Sequence, residues 1–344
     1  MALDIGSNIV KALRLDNSGE MPVLTNFAMV DLLPDAIVEG EIMDRDMVID
    51  AVRECFERAG IQDKAVVSAV GGRSVIVKKI IMDKMTADDA QEAILWEAEQ
   101  HVPFDIDDIC LDFQIVKDDV GANQMEILLV AAKKETIQAH AEILREAGLN
   151  PIVVDVDAFA VQNAWEFSNG GPSHEVVGLL NIGADVTSIC VVQNGVPYFT
   201  RDLAVGTNRF VEEIQREFGV SYDDARAIVI DPHANENIAI EQLVQVVSGV
   251  AEDLSTGIER SLSFLRTSGD AETIDRVVLS GGGGRFPGLA NFLKDRHGFE
   301  VDEGDPLTGI GYEADLFQDY DLAAISPLLA VCVGLGVRNM GGNS

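Results

Sequence analysis

The chain has 344 residues, of which 47% are hydrophobic and 24% charged, the profile of a folded chain long enough for two ordinary domains. Its formal charge of -33, from 58 acidic and 25 basic residues, repels phosphate backbones and excludes nucleic acid as a main partner. No run approaches the ~20 apolar residues of a membrane span and no secretory signal is evident, so a cytoplasmic protein without direct membrane insertion is expected.

The first predicted elements surround a glycine turn. Residues 3–15 read LDIGSNIVKALRL, which predicts a strand, a tight turn at Gly6 and a second strand. Residues 46–59 have helical spacing of apolar side chains, and Gly60 is a typical C-terminal stop. Residues 64–70 are a strand candidate that ends at Gly71 and Gly72.

Residues 75–151 are predicted to form a compact insertion. The pattern indicates a strand at 75–82, a helix at 87–101, strands at 109–117 and 125–132, and a helix at 135–147. Thr86 is a suitable N-cap for the first of these helices. A strand at 152–156 and a helix at 158–167 follow, and residues 169–172 (NGGP) mark the main domain boundary.

The second half begins with a predicted three-stranded meander over residues 176–203, with a hairpin turn at Asn194-Gly195. Helices are predicted at 206–218, 221–229 and roughly 237–267, and an apolar, small-residue-rich helix at 326–340. Between them, a short strand at 277–280 enters four glycines and then a helix that begins near Leu289. Strand, glycines and helix in this order bring backbone close to a ligand.

An internal repeat is the most informative feature. Residues 180–192 read LNIGADVTSICVV and match residues 3–15 position by position: a polar residue, Ile, Gly, a small residue, then an apolar strand. A repeat separated by half the chain predicts two domains with one plan. The mixture of meanders and helices indicates an α/β fold. A dinucleotide-binding fold is not expected, because no G-x-G-x-x-G follows the first strand.

These three turns resemble the phosphate-one, phosphate-two and adenosine motifs of the actin, chaperone and FtsA superfamily, and the chain is closest in pattern to the PilM family of type IV pilus assembly proteins. The resemblance implies an actin-like two-domain α/β fold of ribonuclease H-like repeats with an FtsA-type subdomain 1C. The implied division is subdomain 1A at 1–74, 152–171 and 325–344, subdomain 1C at 75–151, and a second domain at 172–324 with subdomain 2B at about 207–268. The resemblance rests on these segments: 3–15, 101–105, 111–113, 154–166, 180–192, 206–219, 279–289 and 327–338.

The resemblance also implies ATP and Mg²⁺ as ligands. Asp4 matches the aspartate that binds Mg²⁺ in the family, and Mg²⁺ suits one or two carboxylates with phosphate oxygens. Backbone and side-chain donors for the phosphates are expected at the two repeated turns, and nucleoside contacts at the third turn and in one helix. Lys11 is either a phosphate contact or a solvated lysine on a strand face, and Arg226 is either a nucleoside contact or solvated. The candidate binding residues are Asp4, Gly6, Ser7, Asn8, Lys11, Asn181, Gly183, Ala184, Thr187, Arg226, Gly281, Gly282, Gly283 and Arg285.

Two positions depart from the pattern of active ATPases. Asn181 stands where relatives have Asp, so it brings no charge to a metal. Asp157, the candidate catalytic residue, stands where active relatives have a longer Glu that must reach the attacking water within ~3 Å. The resemblance therefore implies ATP binding with slow or no hydrolysis.

The implied role is a cytoplasmic scaffold at the inner membrane. In the family, the N-terminal cytoplasmic tail of the membrane protein PilN binds between the first domain and subdomain 1C, and the scaffold contacts motor and platform components. The candidate region here is 102–113, and a homo-oligomer or ring is compatible with this role. An active ATPase, or a filament-forming division protein of the FtsA type, is the alternative. The final residues lack the basic amphipathic pattern of FtsA's membrane helix.

Overall fold

The computed structural model describes residues 1–268 and 273–338. Its strands, in chain order, are β1 (Ala2–Ile5), β2 (Ile9–Asp16), β3 (Val23–Asp31), β4 (Ile37–Val38), β5 (Glu41–Ile42), β6 (Ala65–Val70), β7 (Val75–Asp83), β8 (Ile109–Gly121), β9 (Gln124–Lys133), β10 (Asn150–Val156), β11 (Val177–Ile182), β12 (Thr187–Gln193), β13 (Val196–Leu203), β14 (Arg276–Ser280), β15 (Glu300–Glu303) and β16 (Gly311–Tyr312). Its α-helices are α1 (Arg45–Ala59), α2 (Ala87–His101), α3 (Lys134–Glu146), α4 (Asp157–Ser168), α5 (Thr207–Phe218), α6 (Tyr222–Ile230), α7 (Ile240–Ser268), α8 (Leu289–His297), α9 (Leu322–Ile325) and α10 (Ala330–Gly336).

The two large sheets repeat one topology. The first has the strand order β10-β6-β1-β2-β3-β16, and the second contains the matching order β15-β14-β11-β12-β13. In each, the first three strands form an antiparallel meander and two later strands add in parallel beside the first. This is the ribonuclease H-like repeat expected from the matching sequences, and it confirms the α/β actin-like fold.

A shared core lies between the two sheets. It contains buried side chains from both sheets and from α4 and α10, so these two helices are covered on both sides. The helices approach closely because Gly334 has no side chain: a Cβ there would lie 1.7 Å from the carbonyl oxygen of Ala160. The predicted C-terminal helix is a 3₁₀ turn over Ser326–Leu329 followed by α10, and residues 339–344 lie outside the described residues.

Each sheet is covered on its other face by a separate group of helices. On the first sheet, α1 buries Val48, Val52 and Phe56, and α3 adds Ile143 and Leu144. On the second sheet, helices α5 to α8 form the largest apolar cluster. Helix α1 ends as predicted at Gly60, which is left-handed with φ 64°.

The insertion is a three-stranded sheet, β7-β9-β8, with α2 packed on one face. Helix α2 begins at the expected N-cap, where Thr86 accepts a hydrogen bond from the backbone N–H of Asp89. The buried side chains of this unit's core lie within residues 80–131, with Ile76 packed against them, and α3 packs on the first domain. A single residue pair, Phe199 with Lys78, also joins β7 to β13 and so extends the second sheet. The bounds 75–151 for subdomain 1C stay a prediction.

Candidate functional site

A cleft with a volume of about 780 Å³ lies between the two domains. The first glycine turn, the second glycine turn and the start of the third all line it, together with the β4–β5 hairpin and parts of α3, α4 and α6. Both halves of the repeat therefore face one cavity. The candidate residues that line the cleft are Asp4, Gly6, Ser7, Asn8, Lys11, Asp157, Asn181, Gly183, Ala184, Arg226, Gly281 and Gly282.

The two repeated turns have the same backbone hydrogen bond. The N–H of Gly6 donates to the carbonyl oxygen of Ile9 at 3.1 Å, and the N–H of Gly183 donates to that of Val186 at 3.0 Å. A Cβ would lie 3.1 Å from the Ile9 oxygen and 2.8 Å from the Val186 oxygen, so both turns favour glycine on steric grounds. Residues of both turns line the cleft, and backbone N–H groups of such turns suit anionic oxygens.

The paired strand positions on either side of the two turns differ in charge between the two halves. In the first half, Asp4 pairs in register with Lys11, and their Oδ2 and Nζ atoms are 2.6 Å apart in a largely buried ion pair. In the second half, Asn181 and Ser188 occupy the matching positions. Lys11 is therefore neither solvated nor free, since it neutralises Asp4 at the floor of the cleft.

Asp157 stands at the start of α4, at the end of the cleft floor. Its carboxylate lies against Gly71, where a Cβ would be 2.4 Å from Oδ2. Burial first, and then the negative charges of Asp4 and Asp202, raise the pKa of Asp157 from 3.8 to about 7. A carboxyl group that titrates near neutral pH can exchange a proton with a bound water or ligand.

Asp202 is a residue of this region that sequence reasoning missed. It accepts a hydrogen bond from Ser188 Oγ at 2.6 Å and another from the backbone N–H of Gly72, so it joins β13 to the turn between β6 and β7. Burial raises the pKa of Asp202, although both hydrogen bonds oppose the shift. Nothing in the local sequence of β13 identifies it, because its partners come from two other elements.

His140 is a second residue that was missed. It lines the cleft from α3, and its Nε2 is 2.9 Å from Ser68 Oγ, which in turn donates to the carbonyl oxygen of Leu3 at 2.8 Å. Since the Ser68 hydrogen is used in that bond, Nε2 of His140 is the donor to Oγ. Burial lowers the pKa of His140 to about 4, so the ring is neutral at physiological pH. Its helical spacing to Ile143 and Leu144 was the available signal.

Three candidate residues do not line the cleft. Thr187 is fully buried and donates from Oγ1 to the carbonyl oxygen of Val205 at 2.7 Å. Gly283 packs against Ile182, to which a Cβ would approach within 2.5 Å. Arg285 donates to the carbonyl oxygen of Ala323 and pairs with Glu303 on the outer side of the turn. Structural contacts therefore account for all three.

Arg226 and Asn8 contact each other across the cleft. Arg226 donates to the carbonyl oxygen of Asn8 at 3.2 Å, and its guanidinium is 2.5 Å from a carboxylate oxygen of Asp31. It is only 16% exposed, so it is not the solvated arginine of the alternative reading. Its side chain links the second domain to the first.

The donor set for a metal is small. Among the described residues, no group of three or more His, Cys, Asp or Glu side chains is arranged to bind a metal ion. Asp4 alone offers a carboxylate at the expected position, and one of its oxygens is paired with Lys11. This fits Mg²⁺ only where other oxygens, such as those of phosphates and water, complete the coordination.

Comparison with known families identifies the chain. The family model described as type IV pilus assembly protein PilM matches residues 2–340. The chain belongs to the PilM family. The structure titled as the PilM-PilN type IV pilus biogenesis complex superimposes with a TM-score of 0.83 and 28% identity, over 98% of this chain and 97% of that one.

More distant relatives agree on the fold. EutJ of Carboxydothermus hydrogenoformans, an ethanolamine utilization protein, has a TM-score of 0.55 and 15% identity over 98% of this chain and 88% of its own. MreB5 of Spiroplasma citri, in a structure bound to AMPPNP, has a TM-score of 0.55 and 12% identity over 98% of this chain and 95% of its own. The FtsA protein of Borreliella burgdorferi is 27% identical over 156 residues, which is 39% of this chain and 38% of FtsA.

Within residues 1–268 and 273–338, no helix is both long and apolar enough to cross a bilayer.

Proposed function

We propose that this PilM-family protein is an ATP-binding scaffold of the type IV pilus assembly platform, which binds the N-terminal cytoplasmic tail of a PilN-like inner-membrane protein. The observation that supports nucleotide binding best is the pair of matching glycine turns, centred on Gly6 and Gly183, that line one cleft. The relative titled as a PilM-PilN complex, which matches over almost the whole chain, supports the peptide partner.

The residues of the cleft fit a nucleoside triphosphate. The two turns offer backbone N–H groups to phosphates, and Lys11 and Asp4 stand between them at the floor. Gly281 and Gly282 line the cleft at the third turn, and Gly282 is the more exposed of the two. Mg²⁺, when bound with the phosphates, would neutralise their charge beside Asp4, which compensates for the strongly acidic protein.

Slow or absent hydrolysis is part of the proposal. Asn181 adds no carboxylate to the metal, and an oxygen of Asp4 is already paired with Lys11. The pKa of about 7 for Asp157 suits a general base. We therefore expect the rate of hydrolysis to be limited by the distance from this short side chain to the attacking water, and not by its protonation state. Phosphate release from the purified protein tests this point, and rapid turnover would favour the alternative of an active ATPase.

Calorimetry tests the nucleotide site. Wild-type protein is titrated with ATP and Mg²⁺ beside Asp4→Ala, which removes the proposed metal ligand. We expect Asp4→Ala to weaken binding at least tenfold. Asp295→Ala is the control, because that side chain lies on α8, outside the cleft. Equal affinities of wild type and Asp4→Ala would contradict the assignment of the first turn.

The tail-binding region is proposed at the junction of the first domain and the insertion. Phe104 and Ile106 pack partly against the core of the insertion, which favours a structural role for them over pockets for a peptide. Lys134 closes the junction by donating to the carbonyl oxygen of Asp107 at 2.6 Å. A pull-down with the cognate PilN-like tail tests the partner, and a scrambled tail is the control. Failure to bind the cognate tail would remove the pilus-platform role proposed here.

The remaining proposals concern location and assembly. Through the tail, the protein would lie at the cytoplasmic side of the inner membrane and contact motor and platform components, alone or as a homo-oligomer. The FtsA-like alternative predicts polymers and direct membrane attachment. Sedimentation with anionic lipid vesicles, with ATP present, distinguishes the two, since the scaffold alone should remain in the supernatant.

A further inference from the structure

Side chains of the two domains are joined directly across the cleft. Asn8, in the first glycine turn, donates from Nδ2 to Oδ1 of Asn208 at the start of α5, at 2.9 Å. Arg226 of α6 donates to the carbonyl oxygen of the same Asn8 and pairs with Asp31 at the end of β3. Two elements of the second domain therefore contact a single turn of the first.

The contact extends to the hairpin β4–β5. Asn208 donates from Nδ2 to Oδ1 of Asp185 at 2.6 Å, and the second oxygen of Asp185 accepts the backbone N–H of Glu39 at 3.3 Å. Asp185 lies in the second glycine turn, and Glu39 lies at the tip of the hairpin. The six residues Asp31, Arg226, Asn8, Asn208, Asp185 and Glu39 thus form one continuous chain, which we call the clasp.

The direction of these hydrogen bonds makes the clasp self-consistent. Asp185 can only accept, so it requires the amide nitrogen of Asn208 to face it. The amide oxygen of Asn208 then faces Asn8, whose own nitrogen is the matching donor. Asn208 is held in place by its backbone, which donates to the carbonyl oxygen of Ala184 at 2.9 Å. The hydrogen bonds of the clasp therefore form between protein groups alone, without an atom of a nucleotide.

The clasp spans the cleft without filling it. A volume of about 780 Å³ lies beside it, in the range of pockets that bind small molecules. A nucleotide could therefore occupy the cleft with the clasp formed, but it would enter and leave between the two domains that the clasp joins.

We propose that the clasp keeps the two domains closed whether or not a nucleotide is bound, and that it must open for nucleotide exchange. The first part is independent of the proposed function, because it concerns the protein alone. The second part rests on the proposed ATP binding.

Distances between spin labels in the nucleotide-free protein test the first part. Labels are attached to cysteines introduced at Glu57 on α1 and Glu217 on α5, both exposed, in the full chain with Cys110→Ser. The wild-type background should give one narrow distance distribution that ATP with Mg²⁺ leaves unchanged. Asn208→Ala should add a population at longer distance. A wild-type distribution that shortens on ATP addition, or an Asn208→Ala distribution equal to wild type, would overturn the clasp.

A second variant and a control guard against an effect on folding. Asp31→Ala removes a partner that is 70% exposed, so it should open the clasp without loss of the fold. Asn237→Ala removes an exposed asparagine outside the clasp and should behave as wild type. Opening by Asn237→Ala, or no opening by either clasp variant, would contradict the proposal.

Release of a fluorescent ATP analogue tests the second part by stopped flow. Loss of the Asn8–Asn208 hydrogen bond should raise the dissociation rate about tenfold, which corresponds to about 1.4 kcal/mol. The two failures are distinguishable. If wild type binds no analogue, the proposed nucleotide site fails and the label distances still decide closure. If wild type binds and Asn208→Ala releases at the same rate, the clasp does not control exchange.

Discussion

The substitution Asp157→Asn should stabilise the protein relative to wild type, and this gain in the free energy of unfolding should increase as the pH rises. In the folded protein, burial and the charges of Asp4 and Asp202 raise the pKa of Asp157 from 3.8 to about 7. The folded state therefore binds this proton more tightly than the unfolded state does. Its stabilising contribution is complete below about pH 4 and is lost as the pH rises towards 7. Asparagine keeps the shape of the side chain and does not titrate.

The size of this change in stability follows from the shift in the pKa of Asp157. A pKa change from 3.8 to about 7 corresponds to a cost of about 4 kcal/mol for the ionised carboxylate above neutral pH. The free-energy difference between variant and wild type should thus grow by up to about 4 kcal/mol between about pH 4 and about pH 8. Groups such as His140 and Asp202 titrate in both proteins and largely cancel. Urea unfolding at several pH values measures the difference, and a constant difference across this range would refute the reasoning.

Three further substitutions test other parts of the structure. Gly249→Ala on α7 has no atom within 4 Å of the added Cβ and should raise the free energy of unfolding by ~0.5–1 kcal/mol, as measured by thermal unfolding; a lower value would contradict the helical geometry there. Gly257→Ala on the same helix should destabilise by roughly 1–3 kcal/mol in that assay, because its Cβ would lie 2.5 Å from Leu203 Cδ1; a neutral result would show that Leu203 yields easily. Lys11→Met leaves Asp4 without its partner and should lower the free energy of unfolding by roughly 3–5 kcal/mol. Mg²⁺ should raise the melting temperature of this variant more than that of wild type, and an equal effect on both would show that Asp4 is not the metal ligand.

Much of the fold was predictable because the sequence contains an internal repeat, with one copy in each half. The matched segments that begin at Leu3 and Leu180 became two meanders with the same turn hydrogen bond, and the elements of the insertion lie within a few residues of their predicted bounds. Glycines and caps such as Gly60 and Thr86 act through local backbone geometry, which sequence reports directly. The strand β3 was not predicted, although the turn residues Asn17, Ser18, Gly19 and Pro22 precede it.

The site was predictable only in outline. The turns placed their own backbone at the cleft, but side chains such as those of Lys11, Arg226 and Thr187 took partners that are distant in sequence or on another element. The pair of Asp4 with Lys11 follows from the hairpin register around Gly6, so a register argument could have found it. The contacts of Arg226 could not be found that way, since they depend on how two domains meet.

The insertion contacts both of the domains that the clasp joins, so opening of the clasp would affect its contacts. The strand β7 continues the second sheet through the pair Phe199 and Lys78, and the chain then returns through α3, which packs on the first domain. The insertion is thus joined to both domains, and the clasp joins the two domains across the cleft. If the clasp opens, the contacts between β7 and β13, in which Phe199 pairs with Lys78 and Lys79 lies over the ring of Tyr198, must adjust, because α3 joins the insertion to the first domain. A tail bound at the junction proposed above would therefore act close to these contacts. Any preference of the tail for one arrangement would change nucleotide affinity by the same factor as nucleotide changes tail affinity.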